Sequence, residues 1–460
     1  MLANLLSDED FGLIGAILIF QAFASLVVDS GFSYALLQRK RPTRLDYSTV
    51  LWFNIGASAV LYLIIYLSAP LIARCFQNDP RIIPLTRVLC LAIILNASAI
   101  IQTNRLMKHM NVRMVTVSNS IGLIAGGCVG IALALGGYGP WAMVWQTLTT
   151  AAIKSVVLWT TSRWRPLWRF SVPALKSYFG LGSRMMLTSF LNTVFQYIYS
   201  FFIGNRVGLG ALGYYTQGDK WSKMGITSIS QTLTSSFIPA LSAVQNEPER
   251  FSAMVSKMNR FTSYIIFPAI LGLMLMARPI FHALFGTKWD PSIILFQLLL
   301  LRGIFFILCT LYNNYILVLG KGGTIVKLEI LRDTAAVIAI AVTLPFLRLT
   351  APGNPVYGLE IMLWGQVAAG AITWIASLVA TVRISKVPFM RFLTDMLPYF
   401  AQTAIIIPFM SLAAAPIDNP WLKILVQAIT GLSLYIGGNY FFKSKIQHEV
   451  FMYFRKNKID

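Results

Sequence analysis

Polar and cationic side chains recur at helical spacing in three stretches of this chain that are otherwise apolar. In residues 177–204, Arg184, Thr188, Asn192, Gln196 and Ser200 follow one another every four positions. In 211–243 the series is Gln217, Lys220, Lys223, Thr227, Gln231 and Thr234; in 11–37 it is Gln21, Ser25, Asp29 and Ser33. Spacings of three and four put each series on one slowly winding helix face. Such a face serves a water-filled cavity or hydrogen bonding between packed helices, and cations favour the cavity because they are rare in dry packing. Arg184, Asn192, Gln196, Gln217, Lys220, Lys223, Gln231 and Arg302 therefore form the candidate lining of a cavity that receives an anionic group. Arg grips such a group bidentately, while Lys acts as a movable point charge. With a rise of about 1.5 Å per residue, Lys220 and Arg302 lie roughly 13 and 15 Å from their helix starts. Lys220 can instead pair with Asp219 or snorkel, and Arg184 can snorkel to the membrane surface. Arg302 is harder to dismiss, since its near neighbours in sequence are Leu, Ile and Phe. Asp29 is the candidate coupling-ion site, weighed against pairing with Arg39 or another neighbour. Glu329, Arg332 and Asp333 are spaced to neutralise one another.

No other constellation carries chemistry. Cys75, Cys90, Cys128 and Cys309 form no close pair, and His109, His282 and His448 are scattered, so neither a disulfide framework nor a metal site is expected. Gly208-Leu209-Gly210-Ala211-Leu212-Gly213 matches GxGxxG. That fingerprint needs a strand before it and a helix after it, whereas here it joins two apolar helices, where a hinge or tight turn is the plain reading. There is no GxxxxGK[ST] motif, so no nucleotide cofactor is expected.

The elements that must position these residues are membrane helices. Of 460 residues 56% are apolar, 12% are charged and the mean hydropathy is +0.66. That excludes a soluble enzyme and a disordered chain. Thirteen segments read as spans: 11–37, 47–73, 84–104, 114–135, 140–161, 177–204, 211–243, 257–277, 292–318, 324–346, 356–382, 396–415 and 420–442. The first is preceded by Asp8, Glu9 and Asp10 rather than lysines, unlike a cleavable signal peptide. Alternate loops differ sharply in charge: one set carries 24 Lys and Arg, the other 7. The basic set is expected in the cytoplasm, with the C-terminus inside and Met1 outside. This asymmetry accounts for most of the net charge of +21 without nucleic acid. No loop is long enough for a soluble catalytic domain, which speaks against an enzyme.

The sequence repeats. Tyr138-Gly139-Pro140-Trp141-Ala142-Met143-Val144-Trp145 recurs as Tyr357-Gly358-Leu359-Glu360-Ile361-Met362-Leu363-Trp364; Pro70 and Phe76 recur as Pro279 and Phe285; Phe32, Ala35 and Leu36 recur as Phe237, Ala240 and Leu241. Matching helices point the same way across the membrane, so the halves are parallel repeats. Span six has no partner in the first half, where only Ala3–Phe11 aligns with its exit, so most of one initial helix is expected to be missing. The lobes expected are 1–175 with five helices and 176–391 with six, followed by 392–460 with two more helices and a basic tail.

The runs LLSDEDFGLIGAILIF, VVDSGFSYALLQRK, LGYYTQGDKW and YGPWAMVWQ, together with the repeat, resemble polysaccharide exporters of the Wzx type in the multidrug/oligosaccharidyl-lipid/polysaccharide (MOP) exporter superfamily. The resemblance runs along the whole chain. It implies an all-α polytopic membrane protein with two MATE/MOP-like lobes around a central cavity. It also implies a flippase of the bacterial inner membrane that moves undecaprenyl-pyrophosphate-linked oligosaccharide by alternating access, for lipopolysaccharide O-antigen, capsule or exopolysaccharide. The cationic residues would then meet a diphosphate. Implied partners are the lipid-linked substrate, the bilayer, and polysaccharide polymerase and assembly proteins, with no cofactor. Three alternatives stand beside it: a cation-coupled multidrug exporter of the same superfamily, which prefers acidic cavity residues; a membrane-embedded polysaccharide polymerase or ligase, which needs an outer catalytic loop; and a non-transporting scaffold, favoured by the missing helix. The basic loop Ser162–Lys176, with Trp164 and Trp168, suits the headgroup layer, either recruiting the anionic lipid carrier or simply anchoring the chain.

Overall fold

The computed structural model describes residues 1–448, apart from the side chains of residues 29, 30, 31, 33, 34, 181, 184, 185 and 188. No strand forms among the described residues; a single isolated bridge joins Ala351 and Asn354. Apolar surroundings offer no water to the backbone, and a helix satisfies its N–H and C=O groups internally. The helices in chain order are α1 Leu2–Leu5, α2 Asp8–Gln38, α3 Arg44–Cys75, α4 Ile82–Leu89, α5 Leu91–Lys108, α6 Val112–Leu135, α7 Trp141–Ser162, α8 Val172–Arg206, α9 Leu209–Ser242, α10 Pro248–Phe285, α11 Asp290–Val318, α12 Gly322–Thr343, α13 Tyr357–Ser385, α14 Phe389–Ala413 and α15 Pro420–Phe441. Each of the thirteen expected segments falls on one of these, with α4 and α5 sharing 84–104. Among the described residues, nine spans are long and apolar enough to cross a membrane; α7, α8, α9 and α12 are not in that set. In α12 the reason is local charge, Lys327, Glu329, Arg332 and Asp333; in α9 it is the Ser, Thr and Gln231 content of the stretch that follows Lys223.

Helix starts carry their own signals. Ser7 Oγ accepts from Asp10 N (3.1 Å) while Asp10 accepts from Ser7 N (2.9 Å), and Thr43 and Asp46 form the same reciprocal box at α3. Each box satisfies two otherwise orphaned donors.

The chain divides into two compact units, Met1–Thr216 and Gln217–Asp460. In the first, α2 packs along α8, α3 lies on α5, and α6 lies on α7. Residues 176–206, expected to open the second lobe, lie in α8, which packs with α2 and α3 of the first unit. In the second, α11 packs on α13, α10 on α14, α12 on α13, and α14 on α15. Most of the repeated residues share their burial. Leu36 and Leu241 are fully buried, Phe32 with Phe237 and Phe76 with Phe285 are buried, and Trp145 and Trp364 are both exposed, whereas Pro70 is exposed and Pro279 is buried.

In the first unit the helix ends sort by charge. Loops 39–43, 109–111 and 163–171 meet at one end, where Lys108 Nζ caps the C-terminus of α2 by donating to Leu36 O, Leu37 O and Arg39 O. A cation there complements the helix dipole. At the opposite end Arg81 Nη2 bridges Asp79 Oδ2 (2.7 Å) and Glu9 Oε2 (3.1 Å). The glycine-rich link into α9 also lies there and explains its composition. A Cβ on Gly213 would collide with Asp8 O, and Gly208 adopts a φ of +138°. The GxGxxG pattern is thus packing of α9 against the start of α2, with no strand before it.

Close approach also governs α6 on α7. A Cβ on Gly126 would overlap Thr150 Oγ1 and lie 2.6 Å from Gln146 O, while one on Gly127 meets nothing within 4 Å. Gly126→Val should therefore lower the unfolding temperature of the detergent-purified protein, by about 1–3 kcal/mol of overpacking. Gly127→Ala should leave it unchanged or raise it, since Ala is the better helix former by up to about 1 kcal/mol. Equal effects of the two would refute the packing assignment. The Arg81 guanidinium holds Asp79 below its ordinary value of 3.8. A depressed carboxylate stabilises the fold above its unfolded pKa and loses that contribution as the pH falls through the folded one. Protection factors over 76–81, corrected for the intrinsic pH dependence of amide exchange, should stay flat from neutral pH down to about 5 and fall only below about 4; a fall near pH 6 would contradict the assignment.

Candidate functional site

Within the second unit, α9 reverses the pattern expected of a lipid-facing helix. Ser222, Ile226, Leu233, Phe237 and Leu241 are buried, while Lys220, Thr227, Ser228, Gln231, Thr232, Ser235 and Ser236 are exposed. The hydroxyls satisfy their own donors one turn back: Thr227 on Lys223 O (2.6 Å), Ser228 on Met224 O (2.8 Å), Thr232 on Ser228 O (2.9 Å) and Ser236 on Thr232 O (2.9 Å). What remains outward is a ladder of acceptor oxygens with Gln231 and Lys220 among them. Apolar side chains would cover a surface that faced hydrocarbon. This surface suits water.

The depth of the cations follows from how α9 packs on α11. Gly218 lies against the backbone of Phe296, Gly303 against the side chain of Ile226, and Asn314 Nδ2 donates to Thr234 Oγ1 at 3.1 Å. Residue numbers rise together on both helices, so they run parallel, with Arg302 level with the turn before Ile226. Lys220, Lys223 and Arg302 then occupy about 8 Å of axial depth.

Their partners differ. Lys223 Nζ pairs with Asp219 Oδ2 at 2.6 Å, so Asp219 serves Lys223 rather than Lys220. Lys220 has no ion-pair partner among the described residues. Arg302 Nη1 donates to Gln366 Oε1 of α13 at 2.7 Å, and no carboxylate pairs with it among the described residues. Gln366 is only 3% exposed, and its Nε2 finds no partner there. A neutral amide orients the guanidinium without cancelling its charge. Phe305 and Trp374, ring centroids 5.8 Å apart, lie on the same two helices, α11 and α13.

The remaining sequence candidates are distributed as follows. Gln217 is buried at 3% exposure, and Gln231 is exposed on α9. In the first unit, Asn192 and Gln196 are exposed along α8, and Ser200 is buried. Arg184 and Asp29 lie outside the described residues, so neither the cation nor the coupling-ion candidate has a described environment. Arg39, the pairing partner weighed for Asp29, engages Asp46 Oδ1 (3.3 Å) and Tyr178 Oη (2.7 Å). On α12, Arg332 pairs with Glu329 (2.6 Å) and Asp333 (3.0 Å), as the spacing predicts. Among the described residues, no cluster of three or more His, Cys, Asp or Glu could hold a metal ion. Sequence reasoning missed Gln366. Its signal was a polar series on α13, Gln366, Thr373, Ser377 and Thr381, all buried.

The model of a family described as polysaccharide biosynthesis protein matches residues 1–294. The succinoglycan biosynthesis transport protein ExoT of Rhizobium meliloti (strain 1021) is 23% identical over 341 residues, 74% of this chain and 69% of ExoT. The lipopolysaccharide biosynthesis protein WzxC of Escherichia coli (strain K12) is 24% identical over 308 residues, 66% of this chain and 62% of WzxC, so the match spans less than two thirds of that relative. Among solved structures, lipid II flippase MurJ in an inward closed conformation superposes with a TM-score of 0.76 at 15% identity, covering 97% of this chain and 96% of that one. That likeness establishes a shared fold.

If Gln366 orients Arg302 without neutralising it, the two roles separate by substitution. Gln366→Glu should keep Arg302 in place yet weaken binding of inorganic pyrophosphate to the purified protein as much as Arg302→Ala does, by about ten-fold. Gln366→Met should have a smaller effect. Calorimetric titration decides it, and pyrophosphate binding unaffected by Gln366→Glu would remove the assignment.

Proposed function

This chain belongs to the polysaccharide biosynthesis protein family, and from that premise we propose that it is a flippase for undecaprenyl-pyrophosphate-linked oligosaccharide. It works by alternating access in the bacterial inner membrane and serves lipopolysaccharide, capsule or exopolysaccharide synthesis. The observation that carries the reading is the exposed polar ladder of α9, with Lys220, Lys223 and Arg302 gathered within about 8 Å of depth. An isolated diphosphate entering hydrocarbon meets a solvation cost of tens of kcal/mol, and water plus opposing charge must offset it. The sugar head needs hydrogen-bonding groups: in the second unit the α9 hydroxyls and Gln231 are candidates, and in the first unit, taken by itself, Asn192 and Gln196 are, while the prenyl tail stays in the lipid. Arg184 would add a fourth cation, and Asp29 would be the coupling site.

The orientation follows from the loops: the basic end faces the cytoplasm, with the C-terminus inside and Met1 outside. The second repeat begins with α8, the lobes being 1–175 and 176–391 with two helices and a tail after them. Partners are the lipid-linked substrate and the polymerase and assembly proteins that consume it. The multidrug reading is disfavoured by the sign of the site, three cations against Asp219, because cationic drugs require the opposite.

Deleting the gene and quantifying undecaprenyl-linked oligosaccharide by mass spectrometry tests this directly. Accumulation is expected, relieved by the chain but not by Lys220→Ala or Arg302→Ala variants present at equal membrane abundance. No accumulation on deletion would overturn the flippase reading. Full relief by both variants would overturn the site while leaving the function in place.

A further inference from the structure

Loop 163–171, between α7 and α8, has no regular secondary structure, yet its backbone is pinned. Leu167 N donates to Ser48 Oγ at 2.8 Å, and Trp52 Nε1 donates to Leu167 O at 2.9 Å. Ser171 N donates to Thr49 Oγ1 at 3.3 Å, and Arg44 Nη2 donates to Arg165 O at 3.0 Å. All four partners sit in the first three turns of α3. Trp164 is driven into the core beside Tyr47, and the Arg105 guanidinium lies over both rings at 5.2 and 5.7 Å. Arg163 ends α7 with a φ of 48°, left-handed backbone that a non-glycine residue adopts only when its surroundings hold it there.

What the pinned loop presents outward is of another kind. Trp168 is 87% exposed and leans on Trp52 at 4.7 Å, and Phe170 and Val172 are exposed beside it in sequence. Arg163, Arg165, Arg169 and Lys176 are exposed too, as are Lys40 and Arg41 on the neighbouring loop. Carboxylates are scarce. No Asp or Glu occurs between Asp79 and Asp219, and Asp46, at the start of α3, is engaged by Arg39.

Setting sidedness requires only that basic residues be present; it requires neither a fixed backbone nor an indole held outward. A large exposed ring beside arginines is favourable where apolar and aqueous layers meet. We propose that residues 163–172 form a preformed docking platform for the anionic phospholipid headgroups of the leaflet it meets. The arginines receive the phosphates, and the Trp52–Trp168 pair seats in the interfacial layer. Charge complementarity selects this occupant: the surface is basic without internal neutralisation. Docking would also fix the first turn of α8, the helix that carries Asn192 and Gln196. The proposal stands independently of the flippase reading.

The test uses the full chain in phosphatidylcholine vesicles containing either brominated phosphatidylglycerol or brominated phosphatidylcholine. The chain has 11 tryptophans, so the Trp168 signal is read as the difference from Trp168→Phe. The expected result is stronger quenching by the anionic lipid, with the preference falling about five-fold for each charge removed in Arg163→Gln and Arg169→Gln. Raising the salt to about 1 M, where the screening length is only about 3 Å, should erase the preference in the unmodified protein. That arm decides the matter if the variants fail to fold. Equal quenching by both lipids at low salt, or a preference indifferent to salt, would overturn the platform. So would protection of Trp168 by trace undecaprenyl diphosphate with no preference for phosphatidylglycerol, which would make the loop a substrate-recruiting surface instead.

Discussion

A polar group within the thickness of a bilayer must find a partner or reach water, and most of this structure follows from that constraint. The backbone meets it by becoming helical throughout. The side chains meet it in three ways. Ser48, Trp52 and Thr49 spend their hydrogen bonds on an adjacent loop. Ser256 and Arg260 on α10 both reach the buried Asp395 of α14, at 2.5 and 3.3 Å. On the outward face of α9 the hydroxyls donate to carbonyls one turn back, and Lys220 and Gln231 are left exposed beside them.

Helix contacts in such surroundings gain little from the hydrophobic effect, because lipid is as apolar as leucine, and they depend on how closely backbones approach. The contacts of α6 with α7, and of α9 with α2 and α11, are made through glycine. Gly303 receives the side chain of Ile226, and that contact sets the level of Arg302 against α9. A packing residue with no chemistry of its own thus fixes the depth at which the charge sits. The same closeness explains the misleading nucleotide fingerprint, whose glycines sit where α9 starts against α2.

The helices were legible in the sequence because apolar runs and charged loops are long signals; each expected segment meets a helix. The site was legible only in part. Gln217 and Gln231 belong to one sequence series, yet one is buried and the other exposed. The series on α13, spaced seven, four and four, also falls on one helix face, and it is buried. Spacing identifies a common face but is silent on what that face meets. That depends on neighbours distant in sequence. Partner choice was equally hidden. Asp219 is adjacent to Lys220, but side chains one residue apart diverge by about 100° around a helix, so the carboxylate reaches Lys223 one turn on. Gln366 escaped notice because the polar series it opens on α13 carries no charge and looks like packing.

The pairing pattern carries a requirement particular to transport. A carrier must replace enough of the ligand's hydration to admit it and still release it on the other side. A cation locked to a carboxylate contributes little, and a cluster of unpaired cations would hold a diphosphate too firmly and repel itself when empty. The arrangement on α9 and α11 lies between these limits. Lys223 is offset by Asp219, Arg302 is oriented by a neutral amide, and Lys220 has no ion-pair partner among the described residues. Three cations and one carboxylate leave a net of two positive charges, the complement of a diphosphate esterified at both ends. Under the proposed reading, the α9–α11 cluster by itself, without the first-unit candidates Arg184 and Asp29, is therefore neutral when loaded and charged when empty. An alternating carrier uses that difference, since the loaded form is the one that can pass through a dehydrated intermediate at the lower electrostatic cost.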